Sequence, residues 1–178
     1  MNAAQLRTQP VDDTVVKTRK TNPITIVCDN VLDTYNVGSI FRLADAISAQ
    51  KVILCGATES PPNSRIKKAS INTWQWVEWE HAETAGSAIS KIKSQSASRR
   101  TKIKIYVVEQ DSRSKPFQDV SYEFPCVVVV GNETTGVTKE VLDMADEIVE
   151  LPMWGVNTSL NVMVSCGIVL YKIMEKVK

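Results

Sequence analysis

The 178-residue sequence has one histidine, His81, no C-x-x-C pair among its four cysteines, and no apolar run of the roughly 18 residues needed to cross a membrane. A lone histidine in "WEHAE", with no G-x-S-x-G anywhere, argues against a Ser-His-Asp hydrolase. Cys28, Cys55, Cys126 and Cys166 lie far apart, three of them inside apolar runs, which disfavours a zinc site, dithiol redox chemistry and a stapled secreted fold. Buried free thiols are the expectation. The seven glycines never fall at G-x-G-x-x-G spacing, so a dinucleotide-binding Rossmann site is not expected. Neither sign of charge dominates: 21 Lys+Arg against 20 Asp+Glu leave +1, so nucleic-acid binding would have to rest on local basic patches. The opening "MNAAQLRTQPVDDTVVKTRKTNP" lacks the apolar centre of a signal peptide. These absences predict a soluble cytoplasmic protein without membrane or metal partners.

What is present suits one compact domain, with 43% hydrophobic and 23% charged residues. A polar arm is expected over residues 1–22 and a single domain over 23–178. "ITIVCDN", "KVILCG", "KIKIYVVEQ", "PCVVVVG" and "IVELPM" read as strands; "NVGSIFRLADAISA", "ETAGSAISKIKSQ", "TKEVLDMADE" and the segment after Ser159 read as helices. That alternation predicts an α/β fold, a mostly parallel sheet with helices on both faces. The segment "SPPNSRIKKASINTWQWVEWEHAE" is less regular. The spacing of Trp74, Trp76 and Trp79 predicts one face of a short strand, with base stacking beside Arg65, Lys67 and Lys68 as the alternative. His81 is expected at a helix start.

In an open parallel sheet, ligands collect at the carboxyl ends of the strands. "DNVLDTYNVGSIFR", "GNETTGVT" and "PMWGVNTSLN" each follow a predicted strand, so all three should reach the same edge. "GNETTGVT" nearly matches the phosphate-cradling pattern G-x-x-x-x-G-K-[ST], but Val137 stands where the lysine belongs, which counts against nucleotide hydrolysis. Asn36, Arg42, Glu133, Ser159 and Asn161 remain as polar candidates. Such a set suits binding and electrostatic positioning better than covalent catalysis.

The three loops resemble, in order, the signature motifs of the SpoU/TrmH family of the SPOUT superfamily, RNA 2′-O-ribose methyltransferases that use S-adenosylmethionine. "NVGSIFRLADA" is similar to the first motif, "VVVVGNETTGV" to the second and "LPMWGVNTSLNVMVSCGIVLY" to the third. The third departs at Met163 and Ser165, where the family usually has Ser and Ala; the second has Thr134 and Thr135 in place of a glycine-rich stretch. The resemblance implies a C-terminal trefoil knot, a rare exception to the rule against knotted chains. It also implies a homodimer packed through the last helix, an RNA substrate, and no metal. With no room for an appended RNA-binding module, tRNA is favoured over rRNA.

By the same resemblance Arg42 is the catalytic residue; its guanidinium stays protonated, so a clamp on phosphate and developing alkoxide is preferred to a base. Asn36 would take part at the reaction centre or merely cap its helix. Glu133 would orient Asn36 or Arg42, or stand as a solvated carboxylate. Ser159 and Asn161 would line the cofactor and ribose pocket, or cap the last helix. Glu109, Val130, Gly131, Asn132, Leu151, Met153, Ser159 and Leu160 are assigned to the cofactor. Lys17, Arg19 and Lys20 in the arm, with Arg65, Lys67 and Lys68, are candidates for RNA phosphate contacts. The other outcome is a catalytically silent RNA-binding or assembly factor with the same fold.

Overall fold

A computed structural model describes residues 5, 11–98 and 100–177. Near-continuous apolar runs such as "CVVVVG" can be satisfied only where both faces of a strand are covered, and the chain builds that arrangement. The strands are β1 (Asn22–Asp29), β2 (Ala49–Cys55), β3 (Trp79–Ala82), β4 (Lys104–Val108), β5 (Lys115–Pro116), β6 (Cys126–Gly131) and β7 (Glu147–Glu150). They form one sheet in the order β3-β2-β1-β6-β4-β7-β5, with every pairing parallel. The helices are α1 (Asp13–Thr18), α2 (Thr34–Ala46), α3 (Ser64–Ser70), α4 (Ala85–Ser98), α5 (Lys139–Met144) and α6 (Val162–Met174).

The period-two rule divides the core in two. Ile26 and Cys28 of β1 pack on one face with Phe41 of α2 and with Cys166, Val169 and Leu170 of α6. Val27, between them, faces the other side with Ile89 of α4 and Val141 of α5. All four cysteines are free and buried; burial raises the Cys28 thiol pKa well above its ordinary value and takes those of Cys55, Cys126 and Cys166 to about 12. They are inert core thiols.

Helices α2 and α3 approach closely at Gly38, where an added Cβ would stand 2.6 Å from the Ala69 Cβ and 2.8 Å from the Ile66 carbonyl oxygen. Because α2 begins at the carboxyl end of β1, its other end reaches the opposite sheet edge. There Asp45 takes hydrogen bonds from Arg19 (3.3 Å) and from Trp76 Nε1 (2.7 Å).

Two local expectations are corrected. Trp74, Trp76 and Trp79 do not share a strand face: residues Thr73–Gln75 form a 3₁₀ turn entered through left-handed Ile71 and Asn72, and only Trp79 lies in β3. Those positive φ values break the extended run, and Trp79 packs edge-on to Phe41. His81 sits in β3 and not at a helix start, because α4 begins only at Ala85; its Nε2 lies 3.1 Å from the Gly56 carbonyl oxygen. Within the polar arm, Asp13–Thr18 are helical, capped by the Asp12 side chain on Thr14 N–H; residues 1–4 and 6–10 of that arm lie outside the described residues. Among the described residues no helix is long and apolar enough to cross a membrane.

Candidate active site

The carboxyl ends of β4, β6 and β7, the segment 151–161 and the first turn of α6 enclose a cleft of about 430 Å³. Glu109, Val130, Gly131, Asn132, Leu151, Met153, Ser159 and Leu160 line it, together with Glu133 and Asn161. Gln110, Thr134, Asn157 and Ser165 add to its polar wall. The lining carries the carboxylates of Glu109, Glu133 and Glu150 and, among the described residues, no lysine or arginine. Such a wall disfavours a polyphosphate and favours a ligand bearing positive charge. No three His, Cys, Asp or Glu side chains among the described residues gather into a metal-binding group.

The loop after β6 explains why the near-match to a phosphate loop is not one. Asn132 and Gly136 exchange backbone hydrogen bonds, and the Asn132 side-chain oxygen accepts from the N–H groups of Thr134 and Thr135. Val137 N–H is bound by Glu109 Oε2 at 2.9 Å, and Thr138 gives both its N–H and its hydroxyl to Asp29 Oδ2. The N–H groups from 134 to 138 are therefore spent inside the protein. Gly136, at φ +70°, is required: its Cβ would lie 2.3 Å from Glu109 Oε2. Asp29, only 2% exposed, was not among the sequence candidates. Its signal was a carboxylate ending an otherwise apolar strand.

A directional relay crosses the site from α6 to the loop after β6. Asn161 caps α6, its Oδ1 accepting from Met163 and Val164 N–H, which forces its Nδ2 to point away from the helix. That Nδ2 donates to Asn36 Oδ1 at 3.0 Å, so Asn36 Nδ2 must in turn donate to Glu133 Oε1, at 2.8 Å. Glu133 also accepts from Leu32 N–H and Asp33 N–H, both at 3.0 Å. Burial works to raise the Glu133 carboxyl pKa, but the hydrogen bonds from Asn36, Leu32 and Asp33 outweigh it and hold the group below its ordinary value.

The contacts show which of these side chains cap a helix and which partner each one takes. The cap of α2 is Asp33, which binds Tyr35 N–H; Asn36 is the third helical residue, 6% exposed, turned onto Glu133. Glu133 accepts a hydrogen bond from Asn36 and makes none with Arg42. Asn161 both caps α6 and joins the relay, whereas Ser159 donates its N–H and hydroxyl to Asn157 Oδ1 and does not cap.

Arg42 lies outside the cleft wall. It is exposed, six residues and roughly 120° around α2 from Asn36, and has no hydrogen bond or ion pair with another described residue. It shares the exposed stripe of α2 with Tyr35; α2 packs against α6, on which Val164, Ile168 and Tyr171 form an apolar row, 39%, 37% and 56% exposed. The basic candidates divide. Arg65, Lys67 and Lys68 are exposed on α3, next to α2; Lys17, Arg19 and Lys20 lie toward the far sheet edge, where Arg19 is paired with Asp45.

Fold and site together define a parallel-sheet α/β protein with a carboxylate-lined cleft and an amide relay at its strand ends. Residues 23–171 match the SpoU rRNA Methylase family, and the chain belongs to it. The tRNA (guanosine(18)-2′-O)-methyltransferase of Escherichia coli strain K12 is 29% identical over 157 residues, which cover 86% of this chain and 64% of that protein. This chain thus spans under two thirds of that relative's length. The crystal structure of the A. aeolicus TrmH/SpoU tRNA modifying enzyme superposes with a TM-score of 0.77 at 27% identity, over 98% of this chain and 81% of that one. The SpoU methyltransferase AviRb from Streptomyces viridochromogenes, in complex with the cofactor AdoMet, shares the fold at a TM-score of 0.79 and 22% identity, over 95% and 63% of the two chains.

Proposed function

We propose that the protein is an S-adenosylmethionine-dependent methyltransferase acting on a ribose 2′-hydroxyl of RNA, with tRNA favoured over rRNA. The observation that carries this reading is the Asn161–Asn36–Glu133 relay on the wall of the strand-end cleft, in a member of the SpoU rRNA Methylase family. Its relative in E. coli is named for 2′-O-methylation of a tRNA guanosine, and AviRb was crystallised with AdoMet.

The cleft fits the proposed cofactor. Its volume of about 430 Å³ lies in the usual range for small-molecule sites, and its carboxylates suit a sulfonium and an ammonium. When bound, the cofactor supplies an activated methyl group. The chain's own residues then have to align an acceptor oxygen and stabilise the charge that develops on it. The second Nδ2 proton of Asn161 has no partner among the described residues and supplies one such donor. Glu133, with three donors on its carboxylate and a lowered pKa, is a fixed anchor and a poor base.

The remaining charge comes from Arg42, delivered by the second protomer of a homodimer. Its position off the cleft wall, exposed on a helix packed against α6 with its exposed apolar row, supports assembly through α2 and α6 with Arg42 reaching the partner's cleft. The segment from Leu151 through α6 threads the trefoil knot, and the protein works in the cytoplasm with RNA phosphates held by Arg65, Lys67 and Lys68. Calorimetry with S-adenosylmethionine tests the reading: one site per chain is expected, and absence of binding would favour the silent RNA-binding factor.

A further inference from the structure

Ser165 is the one small hydroxyl in α6 that faces the cleft, one turn beyond Asn161, while the neighbouring Cys166, Val169 and Leu170 are buried apolar residues. The helix itself does not need it. The first turn is capped by Asn161 Oδ1, and the Asn161 carbonyl already accepts the regular helical bond from Ser165 N–H at 3.0 Å. The Ser165 hydroxyl adds a second, longer bond to that same carbonyl, at 3.3 Å. A serine back-bonded in this way is a poorer helix residue than alanine. Its single proton is spent on Asn161, so the lone pairs that remain can only accept, and they belong to a side chain on the cleft wall.

We infer that Ser165 is a positioning residue of the methyl-donor pocket, its hydroxyl oxygen accepting a hydrogen bond from an N–H or O–H group of the bound aminoacyl-nucleoside sulfonium. The inference rests on the cleft being the cofactor site. It also gives a role to one of the two positions at which the third motif departs from its family pattern, Ser165, beside Met163.

Calorimetry with S-adenosylmethionine and with S-adenosylhomocysteine, on the wild type, Ser165→Ala and Ser165→Thr, tests it. Ser165→Ala is expected to raise Kd about three- to ten-fold for both ligands, the loss of one neutral hydrogen bond. Ser165→Thr, which keeps the hydroxyl, should restore affinity to within about two-fold. A purely helical role makes the opposite forecast, since alanine would leave Kd unchanged and leave the melting temperature equal or higher. Wild-type affinity in Ser165→Ala, or failure of threonine to restore a loss, overturns the inference alone. Absence of binding by the wild type overturns the cofactor assignment together with it.

Discussion

Arg42→Ala is expected to lower methyl transfer by about a hundred- to a thousand-fold while leaving the affinity for S-adenosylmethionine and the melting temperature nearly unchanged. The separation of effects follows from position. Arg42 is exposed, touches no carboxylate among the described residues and lies off the cleft wall, so neither the fold nor the proposed cofactor pocket depends on it. A protonated guanidinium aimed at the acceptor acts mainly when negative charge builds on the oxygen, which is a transition-state effect and falls on kcat. Arg42→Lys keeps the charge but loses the planar fork, so only part of the rate should return. Mixing Arg42→Ala with Asn161→Ala chains identifies which protomer of the proposed homodimer supplies the arginine. If Arg42 crosses the dimer interface, each mixed dimer regains one complete site and activity reappears; if it acts within its own chain, both sites stay defective. Equal loss of turnover and of cofactor binding in Arg42→Ala would contradict the assigned role.

The second large effect is expected at Glu133. A glutamine there retains the shape but turns one acceptor into a donor, so it cannot satisfy Leu32 N–H, Asp33 N–H and Asn36 Nδ2 together. Removing a charge-assisted bond from such a cluster is worth about 1.5–3 kcal/mol, which corresponds to a loss in turnover of roughly one to two orders of magnitude. Asn36 would lose its fixed orientation and with it the partner of Asn161. The pH dependence gives an independent measurement. Because the folded-state pKa of Glu133 is lowered, the stability it contributes is present above the ordinary glutamate value and is lost as pH falls through the lowered folded-state value. Thermal melts of the wild type and Glu133→Gln should therefore differ at neutral pH and converge in acid. A constant difference across the acid range would show that the charge plays no part in the relay.

Much of the architecture was legible because its signals are local and periodic. "CVVVVG" and "ITIVC" read as buried strands, and the apolar spacing in α2 and the segment after Ser159 read as helices. The elements that escaped are those set by tertiary context. Strand β5 is two residues long, β3 lies among tryptophans whose spacing imitates a longer strand, and α3 owes its start to the Asn63 side chain on Arg65 and Ile66 N–H. At the site, residue types and their common edge could be read, but their grammar could not. Nothing in the letters ties Asn36 to Asn161, 125 positions away, or says that Glu109 and Asp29 are used to close the loop after β6. Those pairings depend on β6 lying between β1 and β4, a strand order that hydrophobic periodicity does not encode.

The most direct measurement supplies methyl-labelled S-adenosylmethionine and tRNA from cells lacking the protein, then digests the RNA to nucleosides. Label is expected in a 2′-O-methylated nucleoside, with the wild type active and Arg42→Ala nearly silent. Label on a base, or transfer that persists undiminished in Arg42→Ala, would contradict it.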